Sequence, residues 1–240
     1  MILAAGLGTR MRPLTDNLPK ALLPIGKYTL LEFAILKLKH AGFDQIIINV
    51  HHFPHLITSY LAEHKNFGCQ IEISDESSRL LETGGGIKKA AWFFKDEKAV
   101  LIYNVDIVGD LDLQLLYKYH NESNNIATLV LRRRQTTRYL LFNNQMQLRA
   151  WQNVATGEQR VALQTNETLQ AFAFSGIHMI NPALVDYMQH DDTFSVIDTY
   201  LNIAGKLNVG GYVDESPLWA DAGKPRSLED ASKIAAGMKL

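Results

Sequence analysis

The first residues able to do chemistry lie in Ala4-Ala5-Gly6-Leu7-Gly8-Thr9-Arg10-Met11-Arg12-Pro13-Leu14-Thr15, followed closely by Pro19-Lys20. Glycines at 6 and 8 admit positive φ and carry no side chain to hold a ligand off, so successive backbone N–H groups can turn toward phosphate oxygens. Arg10 and Lys20 bring positive charge to the same stretch. Two familiar phosphate loops fail on inspection. A dinucleotide fingerprint needs a third glycine where Met11 stands, and no Gly-Lys pair completes a Walker loop there. Further along, Asn104-Val105-Asp106 ends an apolar run, which puts Asp106 at the carboxyl edge of a sheet, where open α/β folds bind their ligands. Leu81-Glu82-Thr83-Gly84-Gly85-Gly86 precedes an apolar helical stretch ending at Phe94, so its glycines are expected at a helix N-terminus with free N–H groups.

The elements that must position these residues alternate between strand and helix, which demands a largely parallel sheet covered by helices. Gln45–Val50 and Ala99–Asn104 are short, nearly continuous apolar runs, as expected of strands buried on both faces. Between them Leu30, Leu31, Ala34, Ile35, Leu38 and Ala41 recur at helical spacing, with Thr29 and Glu32 as a capping box and Gly42 as the stop. The second half is strand-rich: Ile126–Arg132, Arg138–Phe142, Gln147–Trp151 and Ala171–Ile180, with Asn143-Asn144 as a turn, read as a mixed part of the sheet. Asn181-Pro182 and Lys224-Pro225 each open a helix. The expected fold is α/β, a Rossmann-like three-layer sandwich with a mixed, mainly parallel central sheet.

Composition narrows the partners. A chain of 240 residues, 47% hydrophobic, is expected to build one core, a single domain over 1–240 with halves at about 1–110 and 111–240. With 24 Lys+Arg against 25 Asp+Glu there is no bulk field to hold nucleic acid or an anionic membrane, so phosphate binding must be local. No apolar run approaches the roughly 18 residues of a membrane span. The lone Cys69 cannot form an intramolecular disulfide, and the first residues lack the basic front and apolar length of a signal peptide, so a cytoplasmic setting is expected.

The opening stretch, Leu3 to Thr15 with Pro19-Lys20, resembles the first motif of the sugar-1-phosphate nucleotidylyltransferases, and the resemblance extends through Asp221. It implies that the loop wraps a nucleoside triphosphate, with contacts from Ala4, Ala5, Gly6, Gly8 and Thr9, and that Arg10 and Lys20 meet the phosphates. It further implies that Asp106 and Asp221, the latter in Trp219-Ala220-Asp221-Ala222-Gly223, hold Mg²⁺. Magnesium takes few protein carboxylates alongside phosphate oxygens and water, so two aspartates suffice. The chemistry implied is in-line attack of a sugar 1-phosphate oxygen on the α-phosphorus with loss of pyrophosphate. That nucleophile is already ionised, so positioning and charge neutralisation carry the catalysis.

Substrate choice is implied less sharply. In the resembled family the Glu82-Thr83-Gly84 loop borders nucleobase and sugar, while Ser175 and Gly176 in Phe174-Ser175-Gly176-Ile177-His178, together with Asn153, are assigned to the sugar. The Glu-Thr-Gly-Gly-Gly form most resembles bacterial N-acetylmuramate 1-phosphate uridylyltransferases, and also mannose-1-phosphate guanylyltransferases. Departures are Val105 in place of a common glycine, Lys224 in place of threonine, and leucine in Arg138-Tyr139-Leu140-Leu141 where the family's sugar segment has glycine. UTP with N-acetylmuramate 1-phosphate is favoured. Mannose 1-phosphate with GTP, a cytidylyltransferase acting on phosphocholine, and a noncatalytic nucleotide-sugar sensor are the alternatives. The oligomeric state is not legible.

Other charged clusters read as structural. His51, His52 and His55 lack a third soft ligand at tetrahedral spacing. Asp191-Asp192 offers no better site, and Arg132-Arg133-Arg134 reads as a solvated edge.

Overall fold

A computed structural model describes residues 1–188 and 192–239. In chain order the elements are β1 (Ile2–Leu3), β2 (Pro24–Ile25), β3 (Tyr28–Thr29), α1 (Leu30–His40), β4 (Gln45–Val50), α2 (Pro54–Glu63), β5 (Gln70–Asp75), α3 (Glu82–Lys89), β6 (Val100–Asn104), β7 (Ile107–Gly109) and α4 (Leu113–Glu122). There follow β8 (Ala127–Arg132), β9 (Arg138–Phe142), β10 (Leu148–Asn153), β11 (Glu158–Val161), β12 (Gln170–Ile180), α5 (Val196–Ile203), β13 (Val209–Val213), β14 (Trp219–Asp221) and α6 (Pro225–Gly237). The elements form two compact units. The first comprises Met1–Glu82, Tyr103–Gln114 and Ser216–Leu240, the second Thr83–Ile102 and Leu115–Glu215. Asp221, in the later half of the sequence, therefore belongs to the same unit as the glycine loop.

The first unit is built on parallel strands. β1 pairs with β4 on one side and with the end of β6 on the other, in the registers Ile2↔Ile48 and Ile2↔Tyr103, and β4 pairs with β5 along its whole length. Ile46, Ile47, Ile48 and Val50 are buried, as a strand covered on both faces requires. Helix α1 begins where expected: Thr29 Oγ1 accepts from Glu32 N at 3.1 Å and Glu32 Oε2 from Thr29 N at 3.4 Å. Such a cap contributes about 1 kcal/mol, whereas Leu30, Leu31, Phe33, Ile35 and Leu38 contribute roughly 1.5–3 kcal/mol each on burial. Packing therefore decides the helix, and the cap decides where it starts.

The second unit is mixed, as expected for that half. β8 pairs in parallel with β13 and antiparallel with β12, and β9, β10 and β11 form an antiparallel meander. Strand β12 pairs with β9 through Gln170–Phe172 and with β8 from Ala173 to Ile180. The expected α/β class thus holds in its details of strand direction.

Local differences from the sequence reading have physical causes. The three glycines after Thr83 lie inside the first turns of α3 rather than ahead of it, and position 84 must be glycine there because a Cβ would run into the Phe194 ring. Phe174–His178 sits in the middle of β12, not at a strand end, at a register irregularity where Gly176 takes φ 85°. Asn181 caps as expected, accepting from Ala183 N at 2.9 Å, but the turn it opens, Pro182–Tyr187, is a 3₁₀ helix.

Candidate active site

The glycine loop leaves β1 and is anchored before it turns. Ala4 N donates to the buried Asn49 Oδ1 at 2.7 Å. Gly8 adopts φ 66°, and a Cβ there would lie 2.9 Å from Thr15 Cγ2 and 3.2 Å from Lys20 Cβ, so both conformation and space require glycine. Gly8 O then accepts from Met11 N and Thr15 Oγ1, both at 2.8 Å, which closes the loop into the 3₁₀ turn Thr9–Met11. Met11, at the third-glycine position of a dinucleotide loop, is fully buried and acts as the plug of this turn.

Asp106 follows β6, where Val105 N donates to Leu3 O at 3.1 Å. The turn is pinned by the buried Tyr103, whose hydroxyl donates to Ile107 O at 2.8 Å. Burial, with the Asp106 charge adding to it, raises the Tyr103 phenol above its usual range, so it stays a donor. Asp221 reaches Asp106 through the antiparallel ladder of β7 and β14, in which Asp221 faces Ile107, and Ala222 N donates to Asp106 O at 2.8 Å. Gly223 N in turn donates to Asp221 Oδ1 at 2.9 Å.

Around Gly223 the charged groups converge. A Cβ built there would stand 2.7 Å from Asp221 Oδ1, 3.1 Å from Arg10 Nη2 and 3.2 Å from Asp106 Oδ2. Lys20 Nζ lies 2.7 Å from Asp106 Oδ2, with side chains only 14% and 11% exposed. A charge pair so little exposed is strong only while both members stay, because removing one leaves the other desolvated and unpaired. Beside it opens a cavity of about 240 Å³ lined by Gly6 to Arg10, Lys20, Leu80 and Gly223. Arg10, Lys20, Asp106 and Asp221 are thus brought together with Gly6, Gly8 and Thr9 in one unit, while Ala4 and Ala5 form the buried root of the loop.

In the second unit the residues assigned from sequence fall in three places. Thr83 Oγ1 accepts from Val196 N at 3.0 Å and Gly84 N donates to Phe194 O at 2.9 Å, so this amide is engaged rather than free. Ser175 is buried on β12 and its Oγ has no hydrogen-bond partner among the described residues, nor do either ring nitrogen of His178, Thr199 Oγ1 or Tyr200 Oη. His178 and Tyr200 meet edge to face with ring centroids 5.7 Å apart. Burial pushes the His178 imidazole down to about 3, so it is neutral at pH 7. Asn153 stands at the tip of the β10–β11 hairpin, where its Oδ1 accepts from Ala155 N at 3.1 Å.

The arginine run differs from a solvated edge. Arg132 pairs with the buried Asp214, Arg133 lies 4.9 Å over the Phe172 ring, and Arg134 Nη2 donates to Phe174 O at 3.2 Å. Strand β13 delivers Asp214 to Arg132, a pairing no local pattern announces. Among the described residues no group of three or more His, Cys, Asp or Glu is placed to hold a metal, and Asp191 lies outside them. Tyr103 and Gly223 escaped the sequence reading as positioning residues. Gly223 directly follows the Asp221 motif, and Tyr103 was marked only by a hydroxyl inside an apolar run.

A parallel α/β unit carrying a glycine loop, a lysine and two carboxylates at the carboxyl edge of its strands belongs to the class that binds phosphorylated ligands there. Sequence comparison refines the class. Residues 1–236 match the Nucleotidyl transferase family, and the chain belongs to it. N-acetylmuramate alpha-1-phosphate uridylyltransferase of Caulobacter vibrioides is 29% identical over 247 residues, covering 100% of this chain and 96% of the relative. UTP-glucose-1-phosphate uridylyltransferase of Synechocystis is 34% identical over 200 residues, covering 78% of this chain, which spans only 50% of that relative. Mannose-1-phosphate guanyltransferase of Yarrowia lipolytica is 26% identical, with 95% of this chain and 61% of the relative covered. The fold is shared with a putative glucose-1-phosphate thymidylyltransferase from Bacillus anthracis at a TM-score of 0.82 and 18% identity, covering 100% of this chain and 95% of that one.

Proposed function

We propose that the chain transfers a nucleotidyl group from a nucleoside triphosphate to a sugar 1-phosphate, releasing pyrophosphate, with UTP and N-acetylmuramate 1-phosphate as the favoured pair. The observation that carries the reaction class is the convergence of Asp106, Asp221, Arg10 and Lys20 about Gly223 beside the glycine-loop cavity. The substrate pair is supported by the Caulobacter relative, which matches this chain nearly end to end.

The donor set fits a hard divalent cation. Two carboxylates meet where only hydrogen occupies the α-carbon of Gly223, and two protein oxygens leave room for phosphate and water. Asp106 and Asp221 would hold Mg²⁺, which when bound supplies neutralisation of the triphosphate charge. The remaining work falls to the chain. Amides of the Gly6–Thr9 loop receive phosphate oxygens, Arg10 and Lys20 balance the pyrophosphate as it leaves, and Ser175 with Gly176 orients the sugar. Lys20, held at 2.7 Å from Asp106, keeps the carboxylate edge neutralised until the ligand brings its own charge balance.

The test is pyrophosphate release, with and without Mg²⁺, over four nucleoside triphosphates against N-acetylmuramate, N-acetylglucosamine, glucose and mannose 1-phosphates and phosphocholine. Metal-dependent release with UTP and N-acetylmuramate 1-phosphate is expected. Release with another pair would keep the reaction and replace the substrates, and tight nucleotide-sugar binding without turnover would replace the reaction by a sensor.

A further inference from the structure

Beneath the glycine loop lies a buried carboxylate for which the reaction above has no use. Glu76, fully buried just after β5, accepts from Asn49 Nδ2 at 2.7 Å through Oε1 and from Leu81 N at 3.1 Å through Oε2. Asn49, 2% exposed on β4, accepts in turn from Ala4 N at 2.7 Å. The carboxylate is also fixed from behind, since Glu76 N donates to Val50 O at 2.7 Å and His51 Nδ1 lies 2.6 Å from Glu76 O. A continuous strut therefore runs Ala4–Asn49–Glu76–Leu81. Its ends are the root of the glycine loop and the segment that carries Leu80, and these two segments line the same cavity.

The choice of glutamate at position 76 needs a reason. Among the described residues no cation pairs with it, and a buried carboxylate held only by neutral donors is costly to desolvate. Donor and acceptor polarity supplies the reason. Both ends of the strut are backbone N–H groups, so the two side chains between them must present acceptors outward at each end and still bond each other. Asn49 spends its oxygen on Ala4 and its N–H on Glu76, so Glu76 must accept on both oxygens, which only a carboxylate does. A glutamine at 76 would oppose two donors in either orientation of its amide.

We propose that Asn49 and Glu76 are positioning residues that set the spacing between the glycine loop and the Leu80–Glu82 segment, and so make the site select a nucleoside triphosphate over bare polyphosphate. This rests on the reading that the cavity takes the nucleotide, with Glu82 toward the base. The experiment is calorimetric binding of UTP and of inorganic tripolyphosphate, each with Mg²⁺, to the intact chain and its variants. Glu76→Gln and Asn49→Asp each oppose like groups inside the strut, and each is expected to cut the preference for UTP over tripolyphosphate about 10-fold. The double variant N49D/E76Q matches every donor again: the carboxylate introduced at position 49 accepts from Ala4 N and from the amide introduced at position 76, whose oxygen accepts from Leu81 N. It is expected to recover the wild-type preference, whereas a strut that only stabilised the fold would leave the ratio of the two affinities unmoved in the folded single variants. Where a single variant does not fold, Asn49→Ser breaks the strut without a second charge or opposed donors and is expected to lose preference likewise. Unchanged preference in the singles, or no recovery in the double, overturns the proposal while leaving the nucleotide reading intact. Wild-type protein that binds neither UTP nor tripolyphosphate overturns both.

Discussion

The polar groups that hold the glycine loop and the carboxylates of the first unit are paired, whereas one cluster buried in the second unit has no partner among the described residues. Lys20 holds Asp106, Asn49 holds Glu76, and Tyr103 holds Ile107 O, so the loop and carboxylates are fixed before any ligand arrives. In the second unit Ser175, His178, Thr199 and Tyr200 bury polar atoms that bond to nothing described. The contrast matches the ligands proposed. Charged phosphates and a cation demand preset charges, which cost no reorganisation at the moment of reaction. Sugar hydroxyls can be met by side chains with hydrogen-bond capacity to spare.

The largest expected effect strikes the paired side. Asp106→Ala is expected to lower kcat by about 10²–10³-fold or more, since one ion-pair member goes and Lys20 is left buried and unpaired. Pyrophosphate release from folded variant protein checks this, and near-normal turnover would remove Asp106 from the site.

Acid should strike the second unit next. His178 and His120, pushed by burial to about 3 and about 4, are neutral in the folded protein and take up protons on unfolding below the ordinary value of 6.5. Because the unfolded chain binds more protons there, stability is full above pH 6.5 and falls as pH drops toward 4 and then 3. The loss amounts to a few kcal/mol across that window. Melting temperature followed against pH should show it, and His178→Leu should flatten the slope. A slope unaltered by His178→Leu would mean the imidazole is not neutral and buried.

Smaller effects sharpen the contrast. Gly223→Ala forces a methyl to within 2.7 Å of Asp221 Oδ1, and should weaken Mg²⁺-dependent turnover about 10-fold while the melting temperature stays within a few degrees. Titration of turnover with Mg²⁺ tests it, an unshifted curve being the contrary result. Smallest is Ser175→Ala. Removing a hydroxyl without partners should leave stability unchanged or slightly raised, while KM for the sugar 1-phosphate rises a few-fold. An equal KM would detach Ser175 from the sugar.

The sequence displayed what is local. The glycine loop, the Thr29–Glu32 box and the β4 run are written in neighbouring residues, so propensity, spacing and burial pattern suffice to place them. What it hid depends on register. Asp221 is joined to Asp106 by the family resemblance and not by any local pattern, because they meet only where two three-residue strands pair with Asp221 opposite Ile107, and such short pairings leave no periodic trace. Arg132 finds Asp214 by the same kind of long-range strand pairing. Gly84 looked like a helix entry with free N–H groups because a sequence cannot show that Phe194 O already accepts from its N–H and that the Phe194 ring occupies the space beside it.

The first unit is discontinuous, with the residues 115–215 threaded between Gln114 and Ser216. A ribosome therefore releases the glycine loop, Lys20 and Asp106 long before Asp221 exists. Through that interval the nascent chain holds Asp106 without its carboxylate partner, and the β7 edge has no β14 to pair with. Assembly of the charged centre is thereby deferred until the intervening unit has been synthesised, so a half-made chain carries the glycine loop without the complete set of charges beside it.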